Sequence, residues 1–156
     1  CIFEVLCRME ICKDTIIEEL QNILLNKLNH YDKLIADLRA SNTDTKSSMG
    51  DKYETFREML NQEINHLLHQ KKMILAQQQV VENLTNDPHS IVDFGSFVVT
   101  DFGNFYISTS LGEVNFNGIK FITISQQTPL ANALIGLKEN QTFEVNQKKY
   151  TIQAIY

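Results

Sequence analysis

Four acids, Asp44, Asp51, Glu54 and Glu58, crowd the polar stretch "RASNTDTKSSMGDKYETFRE" that runs from Arg39 to Glu58. Arg39, Lys46, Lys52 and Arg57 are interleaved with them, so the segment is close to neutral. Asp51, Glu54 and Glu58 are spaced for one face of a helix. Two carboxylates delivered together can hold a divalent ion and orient water. Ser47 and Ser48 add hydroxyls, and Ser48 ahead of Asp51 suits the start of a helix, where a hydroxyl caps and an early acid meets the dipole. The plain alternative is a solvated helix end.

Other chemistry is sparse. The chain has no GxGxxG, GxxxxGK[ST], HExxH or GxSxG pattern. His66 and His69 share a helical face with Glu63, but a solvated face explains them without a metal. His30 and His89 have no constellation around them. Cys1, Cys7 and Cys12 are odd in number, lack CxxC spacing and have no partners further along, so reduced thiols are expected. No zinc site and no stably bound metal is expected.

Residues 14–84 hold one Gly, Gly50, and no Pro. Ile17, Leu24, Tyr31 and Leu38 recur every seventh residue. So do Tyr53, Leu60, Leu67, Ile74 and Val81, with Phe56, Ile64 and Leu68 alongside. Such ladders predict coiled-coil helices, interrupted at Lys27, Lys71 and Gln78. Two arms of similar length with a polar link pack most simply as an antiparallel hairpin from Asp14 to Asn83. An arm of ~27 residues is ~40 Å long, so the acids sit at the tip, about residues 41–52, of a long lever.

The period changes at "NDPHS". Beyond it "FGSFVVTD", "GNFYISTS", "EVNF", "IKFITI", "TFEVNQ" and "KYTIQAIY" read as strands. Asn117-Gly118 predicts a tight hairpin. Thr128 as N-cap and Pro129 in the first turn predict one helix through "LANALIGL", ending near Gly136. The fold class is therefore α+β, with a helical hairpin over 9–87 and a small sheet domain with one helix over 88–156. Met9 is read as a natural start and residues 1–8 as an upstream extension.

The chain has 156 residues and a net charge of -5, 43% hydrophobic and 21% charged. That balance counts against nucleic-acid binding through the protein's own surface. Only Lys120, Lys138, Lys148 and Lys149 are basic in the second half, so Phe94, Phe97, Phe105, Tyr106 and Phe121 are expected in a core rather than stacked on bases. No apolar run is long enough for a membrane helix.

The segment "TPLANALIGLK", Thr128–Lys138, is similar to the "SP(L/I)A.ALIGK" signature of the bacterial Gre transcript-cleavage factors. The hairpin ahead of it, the Val/Ile-rich strands and "DKYE" after the tip resemble the same family, from Met9 to Tyr156. The motif residues are Thr128, Pro129, Leu130, Ala133, Leu134, Ile135 and Gly136. The resemblance implies an FKBP-like C-terminal domain and a cytoplasmic, monomeric elongation factor. Its partner would be RNA polymerase, bound at the secondary channel, with indirect contact to nascent RNA. It implies no enzyme and no cofactor of its own. Asp44 and Asp51, then Glu54, would be directed at a Mg ion in the polymerase's active centre, stimulating cleavage of backtracked RNA. Lys46, Ser47, Ser48, Gly50 and Tyr53 would make the tip contacts.

The tip departs from the family's "GDLSENAEY". An ungapped count back from Tyr53 puts Lys46 and Met49 where its two acids fall, while Ser48 matches. The alternatives are a channel-binding regulator without cleavage activity and, in another class, an FKBP-like prolyl isomerase or chaperone. The latter needs an aromatic cluster around a proline, which no spacing in the sequence identifies.

Overall fold

The computed structural model describes residues 12–44 and 51–156, with side chains for 12–41 and 54–156. It divides into two compact units, Gln21–Gln79 and the chain up to Leu20 together with Val80–Tyr156.

Two helices of 32 residues, α1 (Lys13–Asp44) and α2 (Asp51–Glu82), supply the first unit. At ~1.5 Å per residue each is ~48 Å long. Ile35 packs with Ile64 and Leu67, and Tyr31, Leu34 and Leu38 close around them. Lys71 pairs with Asp32 at 2.6 Å. Residue numbers rise along one helix as they fall along the other, so the arms are antiparallel, as the two ladders predict. The polar interruption at Lys71 is thus matched across the seam.

The ladder itself drifts. Leu67, Ile74 and Val81 are buried as expected, but Phe56 and Leu68 are exposed. An untwisted helix repeats every 3.6 residues and departs from a seven-residue line. At the start of α1 the ladder's Ile17 is only half-buried and Ile16, at 2% exposure, takes the core position, while Leu20 is buried at 0% within the expected stripe. Those turns belong to the other unit and follow its packing.

That unit is built on a mixed six-stranded sheet. Its strands are β1 (Phe97–Thr100), β2 (Gly103–Ser108), β3 (Gly112–Phe116), β4 (Ile119–Ser125), β5 (Thr142–Val145) and β6 (Lys148–Ile155). The order is β3-β4-β2-β1-β6-β5, antiparallel except for β2 beside β4. Each lies where the β-branched and aromatic runs predict. Asn117 and Gly118, at φ 51 and 78, turn β3 into β4; only a tight turn with two left-handed residues matches the strand twist there. The single helix, α3 (Pro129–Leu134), completes the α+β fold.

Register sorts the sheet's faces. Val98, Phe105, Ile107, Ile124, Ile152 and Ile155 form one, and α3 covers it with Ala131 and Leu134. Phe97, Tyr106 and Phe121 lie on the other, with Phe97 5.8 Å from Tyr106 and 5.3 Å from Phe121 between ring centroids. Four of the five aromatics expected in the core are buried; Phe94 is half-buried. The first turn of α1 is tied to the segment after α2. Lys13, 4% exposed, donates from Nζ to the Asp87 carbonyl at 2.8 Å, and Asn86 Nδ2 donates to Asp14 Oδ2 at 3.0 Å.

Candidate functional site

Two places carry the expected site residues. The first is the join between α1 and α2. Asp44 is the last residue of α1 and Asp51 the first of α2. Helix therefore takes up both ends of the stretch 41–52. Lys46, Ser47, Ser48 and Gly50 lie outside the described residues, as do the side chains of Asp44, Asp51 and Tyr53. Glu54 stands in the first turn of α2, exposed, with Arg57 and Glu58 exposed one turn on. A carboxylate there keeps its water and remains available to another molecule. Among the described residues no group of three or more His, Cys, Asp and Glu side chains could hold a metal ion. His66 and His69 are exposed, on the solvated face the spacing predicts.

The second place is the motif around α3. Thr128 is extended at φ -74 and ψ 150, and its hydroxyl accepts from Ala131 N–H at 3.2 Å while donating to the Ser125 carbonyl at 2.9 Å. Pro129 takes a first-turn position, where no N–H is missed. Ala131 and Leu134 are fully buried, and Leu130 and Ala133 pack beside them. Gly136 ends the motif at φ +92, a left-handed conformation that strains a side-chain-bearing residue. Its N–H donates to the Val92 carbonyl at 2.9 Å, and Val92 N–H donates to Leu137 O at 2.9 Å.

That exchange draws the segment before the sheet against the end of α3. Together they line a shallow concavity bounded by Pro88, His89, Ile91, Asp93, Ile135 and Gly136. Ile91 and Ile135 stand 44% and 38% exposed on its rim. His89 is held below the usual histidine range by its burial first and by the Lys13 charge second; Asp93 and Asp87 oppose this. The imidazole is therefore neutral near pH 7. Thus most of the motif is spent on folding, and Ile135 is its outward apolar contribution. Ile91 could not be found from sequence, because it is the backbone pairing of Val92 with Gly136 and Leu137 that sets it beside Ile135.

No protein-family model matches the chain, and no curated protein matches it. Among solved structures, the chain is similar to GreA factor homolog 1 (Gfh1) of Thermus thermophilus, at 16% identity and a TM-score of 0.34, covering 87% of this chain and 94% of that one. A second structure, of the transcription factor Gfh1, gives the same identity and TM-score over 87% and 92%. Gfh1 of Thermus aquaticus is 15% identical, with a TM-score of 0.34, over 93% and 94%.

Among the described residues no helix is long and apolar enough to cross a membrane.

Proposed function

We propose that this chain is a Gre-like transcription factor that binds RNA polymerase through its secondary channel. The observation that carries the reading is the segment "TPLANALIGLK" in its setting: a motif resembling the family's signature, on the one helix of a small sheet domain, after a two-helix hairpin. The sheet domain docks, through the Ile91–Ile135 rim rather than through the buried side of α3. The hairpin carries the acids Asp44, Asp51 and Glu54 to the polymerase's active centre, where they share its Mg ion. Lys46 meets the nascent RNA. The factor acts as a cytoplasmic monomer and has no catalysis of its own.

Lys46 and Met49, standing where the family's acids fall, favour a second reading: a channel-binding regulator that does not stimulate cleavage. One assay separates the two. Purified full-length protein is added to backtracked elongation complexes, and both affinity and RNA cleavage are followed. Binding with cleavage supports the first reading, and binding without cleavage the second. Absence of binding removes both.

A further inference from the structure

Asn117 is the only asparagine in the sequence that is followed by glycine. The pair forms the two-residue loop between β3 and β4, with Phe116 facing Ile119 at its neck. Both residues are exposed, and a side-chain carbon built on Gly118 would meet nothing within 4 Å. β3 is an edge strand of the described sheet, and Val114 is the one buried residue in it. The base of this hairpin is clamped. Leu111 N–H donates to Thr123 Oγ1 at 2.8 Å, and that hydroxyl donates to the Gly112 carbonyl at 2.9 Å. Towards the loop, the exposed Lys120–Glu113 pair at 3.0 Å adds little. The hairpin therefore opens most readily from its loop end.

We propose that Asn117-Gly118 is a self-modification site gated by this hairpin: when the loop end opens, Asn117 converts to aspartate and isoaspartate, and the isoaspartate form cannot close the hairpin again. The Gly118 amide nitrogen gives its proton to hydroxide and attacks Cγ of the Asn117 side chain. The side-chain amide leaves as ammonia, and a five-membered succinimide remains. One water then opens the ring at either carbonyl, giving aspartate or isoaspartate. Ring closure needs the nitrogen and Cγ on the same side of the Asn117 Cα–C bond. The closed loop forbids that. With Asn117 and Gly118 at φ 51 and 78 the turn is of the type that holds its first residue at ψ of about +30°. There the next nitrogen points away from Cβ, so the reaction waits for opening. Glycine then speeds it, because no side chain hinders the attacking amide. Asn146-Gln147, the loop between β5 and β6, has the same left-handed pair at φ 53 and 66 but a side chain on the second residue. The products differ in consequence. Aspartate suits the same turn. Isoaspartate carries an extra carbon in the backbone, so Phe116 and Ile119 cannot meet across a two-residue loop. The proposal does not rest on the polymerase reading.

The test uses the full-length protein, aged in mildly alkaline buffer alone, with sub-denaturing guanidinium chloride and with unfolding guanidinium chloride. Peptide mass spectrometry follows the amide-to-acid change at each asparagine, and a protein-isoaspartate methyltransferase with labelled methyl donor counts isoaspartate. The expected result is conversion of Asn117 about tenfold or more slower in the folded protein than in the unfolded chain, and rising already below the unfolding transition, as local opening requires. Val114→Ala loosens β3, leaves residues 116–119 unchanged and converts several-fold faster than wild type. Asn146 lags Asn117 in every condition. The isoaspartate form, separated by ion exchange, unfolds at lower denaturant than the aspartate form. Circular dichroism checks that Val114→Ala is folded; the wild-type denaturant series keeps the test decisive if it is not. Equal rates in folded and unfolded protein overturn the proposal, as does a folded-state rate that stays flat up to the global transition. So does absence of conversion in the unfolded chain, or an isoaspartate form as stable as the unmodified protein.

Discussion

Lys13 Nζ donates to the Asp87 carbonyl across 74 residues of sequence, from a side chain with almost no exposure to water. Burial lowers its pKa from 10.5 to about 8, against the smaller opposing pull of Asp87. The folded state therefore binds this proton less tightly than the unfolded chain does. Below pH 8 a buried charge weighs against folding. Between about pH 8 and 10 the unfolded chain holds the extra proton, so stability rises with pH. Above pH 10 Tyr106 opposes the trend, because burial, and then the Asp14 charge, raise its pKa and make the folded state the tighter proton binder. Urea midpoints at pH 7.5, 8.5 and 9.5 should climb for the wild type and stay flatter in Lys13→Met. Parallel pH dependence in the two proteins would remove Lys13 as the cause.

The motif around α3 should behave as a folding element. Leu134→Ala empties a fully buried site and should cost about 2–5 kcal/mol. Thr128→Ala removes the N-cap acceptor and should cost about 0.5–2 kcal/mol. Chemical denaturation gives both values. If Leu134→Ala costs less than Thr128→Ala, the core assignment of α3 is wrong.

The Asp32–Lys71 pair should contribute little. Its side chains are 48% and 31% exposed, which caps the coupling at about 1 kcal/mol or less. A double-mutant cycle with Asp32→Asn and Lys71→Gln, repeated at high salt, measures it. A coupling several times larger, insensitive to salt, would mean that the pair is shielded from water.

Under the cleavage reading, Asp44→Asn or Asp51→Asn should slow RNA cleavage by stalled polymerase by about 10² or more, the scale of losing one charge-stabilising group. Affinity for polymerase should hold steady, since docking is assigned to the other unit. Ile135→Asp should do the reverse, weakening binding while cleavage at saturating protein is kept. Equal cleavage by wild type and both aspartate variants would take those residues out of the mechanism.

Much of the fold was legible because local chemistry and tertiary structure agree. Asn117-Gly118, Thr128-Pro129 and the alternating strands need no distant partner to declare themselves. The helix seam was legible in kind but not in phase: Ile16 replaces Ile17, and Phe56 faces water, because a neighbouring unit and the 3.6-residue period decide those positions. The ring contacts of Phe102 and Phe143 with Tyr150 were not legible at all. Phe102, Phe143 and Tyr150 come from separate segments, and only the order β1-β6-β5 makes them neighbours. The burial of Lys13 escaped for the same reason, since nothing near it in sequence marks Asp87 as its acceptor.

The place of β6 in the sheet bears on synthesis. It pairs with β1 on one side and β5 on the other, so it is the strand that ties the edge strand β5 to the rest of the sheet. On a ribosome, β1 to β4 emerge with one edge of β1 unpaired and with Ile152 and Ile155 missing from the core. The nascent domain cannot close until residues 148–155 have cleared the exit tunnel. Until then an apolar strand edge stands open, a surface on which chaperones act and chains misassociate. A translational pause ahead of Lys148 would lengthen that exposure, whereas a pause within the hairpin would leave the sheet unmade and the hazard absent.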